Sequence, residues 1–329
     1  MVPWLERPTL EIDLGTPMSR RFDGVRPEVF VLGRRLLDAV IREIPAIARM
    51  AADWARARTT DRFHPEAVGL AEHVDAPWRD VMLANLSYDL VVASLGCSTV
   101  TLPTPSGPVV ARNMDWWPED ILAQASYLIR YSHHGAFRYA NAGWPGAIGV
   151  VTGLSARGFA IILNAVTSSE GVCKSGYPVL LHLRRVLEDA QHFEEAVEML
   201  TEEQLTASAL LTLVGNRNEQ RVVIERTPTR YAHRWPDGDE PLVATNDYRA
   251  LFGPQTHDGS VIYQTTCARY DALCRFFTKH RADQELDDAA LLYILSDRSV
   301  IQSITAQHII MRPRMGTTRL FVPRRLTGA

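Results

Sequence analysis

The chain has 329 residues, is 46% hydrophobic and 22% charged, and carries a formal net charge of -3. That composition fills one large core or two modest ones, and its lack of a basic excess argues against nucleic acid as a partner. Four cysteines without a C-x-x-C pair give no zinc or thioredoxin-like pattern, no apolar run approaches a membrane span, and Met1–Asp13 lacks the basic-then-apolar order of a signal peptide, so a soluble, cytoplasmic protein with free thiols is expected.

In chain order, residues 1–96 read as helical. Leu37, Val40, Ile41, Ile44, Ile47, Ala51 and Trp54 recur at spacings of three and four, one apolar helix face that Pro45 interrupts. The face is either a core stripe or a lipid-facing surface, which leaves peripheral membrane contact through these helices open. Asp75-Ala76-Pro77 reads as an N-cap and first turn leading a helix to about Leu90.

The texture changes at Cys97. Ser98–Leu102 and Pro108–Arg112 flank the turn Thr104–Gly107, Tyr127–Tyr131 and Phe137–Ala140 flank His133-His134-Gly135, and Ile148–Gly153 and Phe159–Asn164 flank Ser155–Gly158. Helices are predicted over Pro178–Asp189 and Phe193–Leu200, then strands Ala209–Val214 and Arg221–Glu225. Helices near Ala268–His280 and Leu286–Leu295 precede a closing hairpin at Arg314-Met315-Gly316. Strands in the middle with helices before and after predict a layered α+β architecture.

Several familiar catalytic signals are missing: there is no G-x-S-x-G, H-E-x-x-H, Walker loop or G-x-G-x-x-G after a strand. The scattered histidines give no reason to expect a metal, and no cofactor is expected. What stands out is Gly96-Cys97-Ser98-Thr99 followed by Ala111-Arg112-Asn113-Met114-Asp115-Trp116. Cys97 heads a strand with no histidine near it to serve as base. Cutting the Gly96–Cys97 bond would free an α-amine, with a reference pKa of about 8 against about 8.5 for the thiol, close enough to take the thiol proton. The alternative is a buried structural cysteine.

The chain resembles the acid ceramidase and N-acylethanolamine acid amidase branch of the choloylglycine-hydrolase-like amidases. The likeness begins at Pro8–Leu14, continues through Asn85–Leu90, and is densest at Cys97 and Arg112-Asn113-Met114-Asp115. It resumes at Trp144-Pro145-Gly146, Thr152-Gly153, Phe159–Asn164, Gly215-Asn216, Val222–Arg226, Thr245-Asn246 and Arg269. The resemblance implies a four-layer αββα N-terminal-nucleophile hydrolase sandwich over 97–329, preceded by a helical pro-segment, 1–96, that stays associated after self-cleavage between Gly96 and Cys97.

It also implies roles. Cys97 is nucleophile and, through its freed amine, base; Arg112 sits by the sulfur and favours thiolate; Asp115 orients the amine. Asn246 donates to the developing oxyanion, Asn164 shapes the substrate side, and Arg269 braces the cluster. The structural alternatives are an Arg112–Asp115 ion pair and turn chemistry at Asn164 and Asn246. Trp116, Trp117 and Trp144 either line an acyl-chain slot or pack in the core. Two departures limit the likeness: the best-known animal members are secreted to acidic compartments, whereas no signal peptide is read here, and one loop differs in length. The segment Ala165–Tyr177 is shorter than the substrate-proximal loop of the best-known members, and Glu170 is its lone acidic candidate. The expected activity is hydrolysis of N-acyl amides, with fatty-acyl amides such as N-acylethanolamines, ceramides or N-acyl amino acids as small-molecule substrates. Acyl transfer of the isopenicillin N acyltransferase type, or non-catalytic lipid binding, are the alternatives.

Overall fold

Strand alternation builds the centre of the molecule. The computed structural model describes residues 3–90, 95–252 and 264–328. Strands β1 (Trp4–Glu6) and β2 (Thr9–Asp13) come first, then helices α1 (Pro27–Glu43), α2 (Ala51–Arg58), α3 (His64–His73), α4 (Trp78–Asn85) and the single turn α5 (Ser87–Leu90). The hairpin β3 (Leu95–Leu102) and β4 (Val109–Trp116) follows, with α6 (Glu119–Gln124), β5 (Tyr127–His133), β6 (Ala136–Gly143), β7 (Thr152–Ser155) and β8 (Phe159–Ala165) after it. Helices α7 (Val179–Asp189) and α8 (Phe193–Glu202) lead to β9 (Ala209–Val214), β10 (Arg221–Arg226), β11 (Tyr231–Arg234) and β12 (Leu242–Ala244). The chain closes with α9 (Thr266–Phe277), α10 (Asp288–Leu295), β13 (Thr305–Arg312) and β14 (Thr317–Pro323).

One sheet has the order β1-β14-β13-β4-β3-β12, the other β11-β10-β9-β8-β7-β6-β5-β2. Because successive side chains leave a strand on opposite faces, one set from each sheet fills the space between them. Val110, Ile309 and Met311 of the first sheet meet Leu154, Ile162 and Val214 of the second there. The opposite set, including Val100, Ala111 and Ile310, packs under Leu273 of α9 and Leu292 of α10. On the outer face of the second sheet Ile161 and Leu211 meet Leu181 and Leu183 of α7. The layers therefore run helix, sheet, sheet, helix, as the resemblance implies.

The helices before residue 90 pack into the same core as α7. Leu37 and Ile44 of the interrupted stripe are buried, and Val40, Ile41 and Trp54 pack against them, so this face serves the interior. Glu66 on α3 is fully buried, accepts from both terminal nitrogens of Arg184 on α7 at 2.7 Å, and also binds Arg21. No helix among the described residues is long and apolar enough to cross a membrane.

The structure corrects several expectations. The first 96 residues are not wholly helical: β1 pairs with β14, and β2 lies parallel to β5, so this segment supplies an edge strand to each sheet. Local reading missed them because their partners lie far along the chain. Asp75 does not cap α4. It sits in the left-handed region at φ 48°, and Pro77 occupies the cap position without a side-chain bond. Residues 148–151 are not strand, since Val150 N–H bonds to Leu180 O of α7 instead of a ladder partner. Short elements α6, β11 and β12 were unread. The helix expected at Ala268–His280 spans Thr266–Phe277, shifted toward the site described next.

Candidate active site

The β3–β4 hairpin places the site. Its ladder sets Gly96 opposite Asp115, Cys97 opposite Met114 and Thr99 opposite Arg112. Arg112 and Asp115 are three residues apart on β4, so they leave it on opposite faces. Arg112 joins Cys97 and Thr99 between the sheets; Asp115 shares the other face with Asn113, which donates to Leu295 O of α10.

Cys97 is buried, with Sγ 2.7 Å from Arg112 Nη2 and 3.7 Å from Leu163 O. Arg112 is held by its bond to Thr152 Oγ1 at 2.5 Å. Burial pushes the Cys97 thiol up; Arg112 opposes this most strongly, the Asp115 carboxylate adds to it, and the Ala165 backbone and Arg269 oppose it. Desolvation wins, so in the closed site the sulfur rests as a thiol. The cation is what keeps thiolate within reach.

Asn246, just after β12, accepts the Cys97 N–H on Oδ1 at 3.1 Å and the Arg269 guanidinium on the same oxygen at 2.7 Å. These donors fix which way the amide faces, so Nδ2 turns to Ala165 O at 2.8 Å, with no acceptor for its second hydrogen among the described residues. Arg269, from α9, also binds Cys97 O at 2.6 Å and Ser98 Oγ at 2.8 Å. One guanidinium thereby ties the cysteine strand to the Asn246 loop.

Asp115 Oδ1 accepts from Thr305 Oγ1 at 2.6 Å, while Oδ2 is buried without a partner among the described residues. Burial raises this carboxyl, against the pull of Arg269, the Thr305 hydrogen bond and Arg112. Asn164 lies on β8 directly under the site. Its oxygen accepts from Thr99 Oγ1 at 2.7 Å and its nitrogen donates to Ala244 O and Thr245 O, both at 3.0 Å. That geometry makes Asn164 a strut under the Asn246 loop, with both amide hydrogens engaged inside the protein. Glu170 is elsewhere, bound to Thr229 and Arg230.

A cavity of about 10 Å³ beside the sulfur is lined by Tyr88, Gly96, Cys97, Asp115, Trp116 and Val151, among others. A second, of about 60 Å³, is apolar and runs between the N-terminal helices and the loop at 144–149. Trp116 and Val151 line both and form their common wall. Trp116 meets Trp144 edge to face at 5.8 Å, Trp144 Nε1 donates to Leu122 O, and Trp117 stands half exposed at the rim. Leu36, Leu37 and Val40 of α1 supply the far wall.

Sequence reading gave the threonines around the site no role, although Thr99 and Thr152 lie within the motifs it singled out. Thr152 holds Arg112, Thr305 holds Asp115, Thr99 holds Asn164, and Thr266 Oγ1 accepts the Asn246 N–H at 2.8 Å. Three of these lie on strands, where threonine is an ordinary resident, so residue type alone does not reveal what they hold.

A family model described as acyl-coenzyme A:6-aminopenicillanic acid acyl-transferase matches residues 102–307. The chain is similar to an N-acylethanolamine-hydrolyzing acid amidase of Caenorhabditis elegans, at 22% identity over 322 residues, covering 92% of this chain and 88% of that one. It is also similar to the 40 kDa form of an acyl-coenzyme A:6-aminopenicillanic-acid-acyltransferase of Emericella nidulans, at 26% identity over 228 residues, covering 68% of this chain and 59% of that one. Among solved structures, a Caenorhabditis elegans N-acylethanolamine-hydrolyzing acid amidase ortholog superposes with a TM-score of 0.52 at 20% identity, over 66% of this chain and 93% of that chain. That likeness supports the αββα fold.

Proposed function

On the premise that this chain belongs to the acyl-coenzyme A:6-aminopenicillanic acid acyl-transferase family and has the N-terminal-nucleophile hydrolase fold, we propose that it is a self-processing cysteine amidase acting on N-acyl amides. The observation that carries this reading is the double engagement of Cys97. Its sulfur meets Arg112 at 2.7 Å, while its nitrogen sits on Asn246 Oδ1 at 3.1 Å, beside a cavity that Asp115 lines.

Processing runs as follows. Cys97 Sγ attacks the Gly96 carbonyl carbon, a C–S bond forms, the Gly96–Cys97 C–N bond breaks, and the thiol proton ends on the departing nitrogen. Water then hydrolyses the thioester, leaving residues 1–96 and a second chain that begins with Cys97. The edge strands β1 and β2 and the Glu66–Arg184 pair favour retention of the N-terminal piece. In turnover the α-amine takes the Cys97 thiol proton and the thiolate attacks the substrate carbonyl. The free Asn246 Nδ2 hydrogen faces the developing oxyanion, and the proton returns to the leaving amine as the C–N bond breaks. Water on the thioester releases the acid and restores the thiol.

The acyl group is assigned to the apolar cavity behind Trp116, which makes a fatty or similarly apolar acyl amide the substrate class. Intact-mass measurement and N-terminal sequencing test the processing step: a new chain beginning Cys97-Ser98-Thr99 is expected, and Cys97→Ala should abolish both cleavage and turnover. An active protein that stays uncut refutes the α-amine mechanism. Including a free amine in the assay shows whether it competes with water for the thioester, which separates hydrolysis from acyl transfer.

A further inference from the structure

A register irregularity in the six-stranded sheet falls beside Cys97. Strand β13 runs antiparallel to β4 with His308 opposite Asn113 and Gln307 opposite Met114, yet the next pair is Thr305 with Asp115. Two residues of β13 therefore face one of β4, and Ala306 is the extra one, the mark of a β-bulge. In a regular ladder Ala306 would stand opposite Asp115, and Thr305 would stand opposite Trp116. The bulge replaces a methyl group with a hydroxyl across from the carboxylate, and pairing resumes beyond it with Trp116 N–H on Ile304 O at 3.1 Å.

The consequence is a carboxylate held by one oxygen. Thr305 Oγ1 binds Oδ1 at 2.6 Å, and Oδ2 is buried and unpartnered among the described residues. A buried carboxylate oxygen without a donor is unfavourable unless a donor arrives during function. Gly96 lies opposite Asp115 in the neighbouring ladder, so cleavage after Gly96 would create a new ammonium donor, the Cys97 nitrogen, on the next residue along that strand.

We infer that Thr305, delivered by the bulge at Ala306, is a positioning residue that fixes Asp115 with Oδ2 reserved for the freed α-amine of Cys97. This rests on the self-processing amidase reading. The titratable and charged groups whose fields reach Asp115 are Arg112 on the opposite face of its own strand, Cys97 on β3 and Arg269 on α9, and Thr305 on β13 is its hydrogen-bond donor. Of these, the Thr305 variants alter only the last. Loss of a hydrogen bond to the charged form makes ionisation of Asp115 harder, so activity that needs the carboxylate should fail at a higher pH than before.

The test compares the full-length wild type with Thr305→Val, Thr305→Ser and Cys97→Ala, using N-acyl aminocoumarin amides as substrate. Self-cleavage is followed by intact mass, and kcat and KM are measured from pH 4 to 9 per unit of cleaved protein. Thr305→Val should cleave more slowly and lower kcat about tenfold or more with KM within about twofold. Its acid limb should move up by about half a pH unit or more, and Thr305→Ser should restore kcat and the limb. Thr305→Ala gives the same comparison where the valine variant does not fold. A hydroxyl-free variant with wild-type kcat and acid limb overturns the inference, as does a serine variant that restores neither. Cleavage or turnover by Cys97→Ala would instead sink the amidase reading, so the two failures are distinguishable.

Discussion

Arg112→Met removes one cation beside the sulfur while keeping an unbranched side chain of similar reach. Arg112 Nη2 stands 2.7 Å from Cys97 Sγ, and both residues are buried. Unit charges about 4 Å apart at an effective dielectric near 20 interact by about 4 kcal/mol, or roughly 3 pH units of thiol ionisation. Arg269 also lowers this thiol but does so in both proteins and cancels from the comparison; water entering the vacated guanidinium space offsets part of the loss, which leaves an expected rise of about 2 units. At neutral pH the thiolate population, and kcat with it, should fall on the order of a hundredfold, with KM little changed. Alkylation of Cys97 by iodoacetamide, followed as a function of pH by peptide mass spectrometry, separates it from Cys173, Cys267 and Cys274. Arg112→Lys should recover part of the loss, since the charge survives without the fork. An Arg112→Met protein whose Cys97 alkylation midpoint lies within about half a unit of wild type refutes the electrostatic account of this arginine.

Three further outcomes follow from other parts of the molecule. If the cavity lined by Trp116, Trp144 and α1 holds the acyl chain, kcat/KM should climb about fourfold per added methylene, at roughly 0.8 kcal/mol each, until the slot is full; a flat profile from acetyl to palmitoyl removes it as the acyl site. Asp89 caps α7 through the Val179 N–H at 3.0 Å and burial pushes its carboxyl up to about 7, above an unfolded value near 3.8. The folded state thus binds this proton more tightly. The stability it contributes is fully present below the unfolded pKa and is lost as pH rises through about 7, and in an uncut Cys97→Ala background Asp89→Asn should flatten the urea-stability profile between pH 5 and 8 by on the order of 2 kcal/mol. Parallel profiles for the two proteins contradict this. Glu66→Gln strips the buried partner from Arg21 and Arg184, and should lower unfolding stability by about 3–5 kcal/mol in the same background, read from denaturant midpoints.

The sequence by itself carried the class of architecture and pointed to the residues on which the proposed chemistry rests. Cys97 after Gly96 and the R-N-M-D run stood out as a pattern, whereas Asn246 and Arg269 were marked only by the resemblance, and the fold brings all of them together. The hairpin that brings Thr99 opposite Arg112 is local, with a turn of polar and glycine residues between its strands, so its existence was legible too. What only the tertiary structure decided is long-range. Strands β1 and β2 have no hairpin partner beside them in the sequence, and they exist because β14 and β5 lie ready to pair with them. Asn164 looked like a substrate ligand, but the carbonyls of Ala244 and Thr245 reach it first and turn it into a strut. The threonine that holds Asp115 sits 190 positions away and meets it through one extra residue in a ladder. Local pattern cannot report such a register, because it is set by the packing of whole strands against each other and not by the preferences of the residues that profit from it.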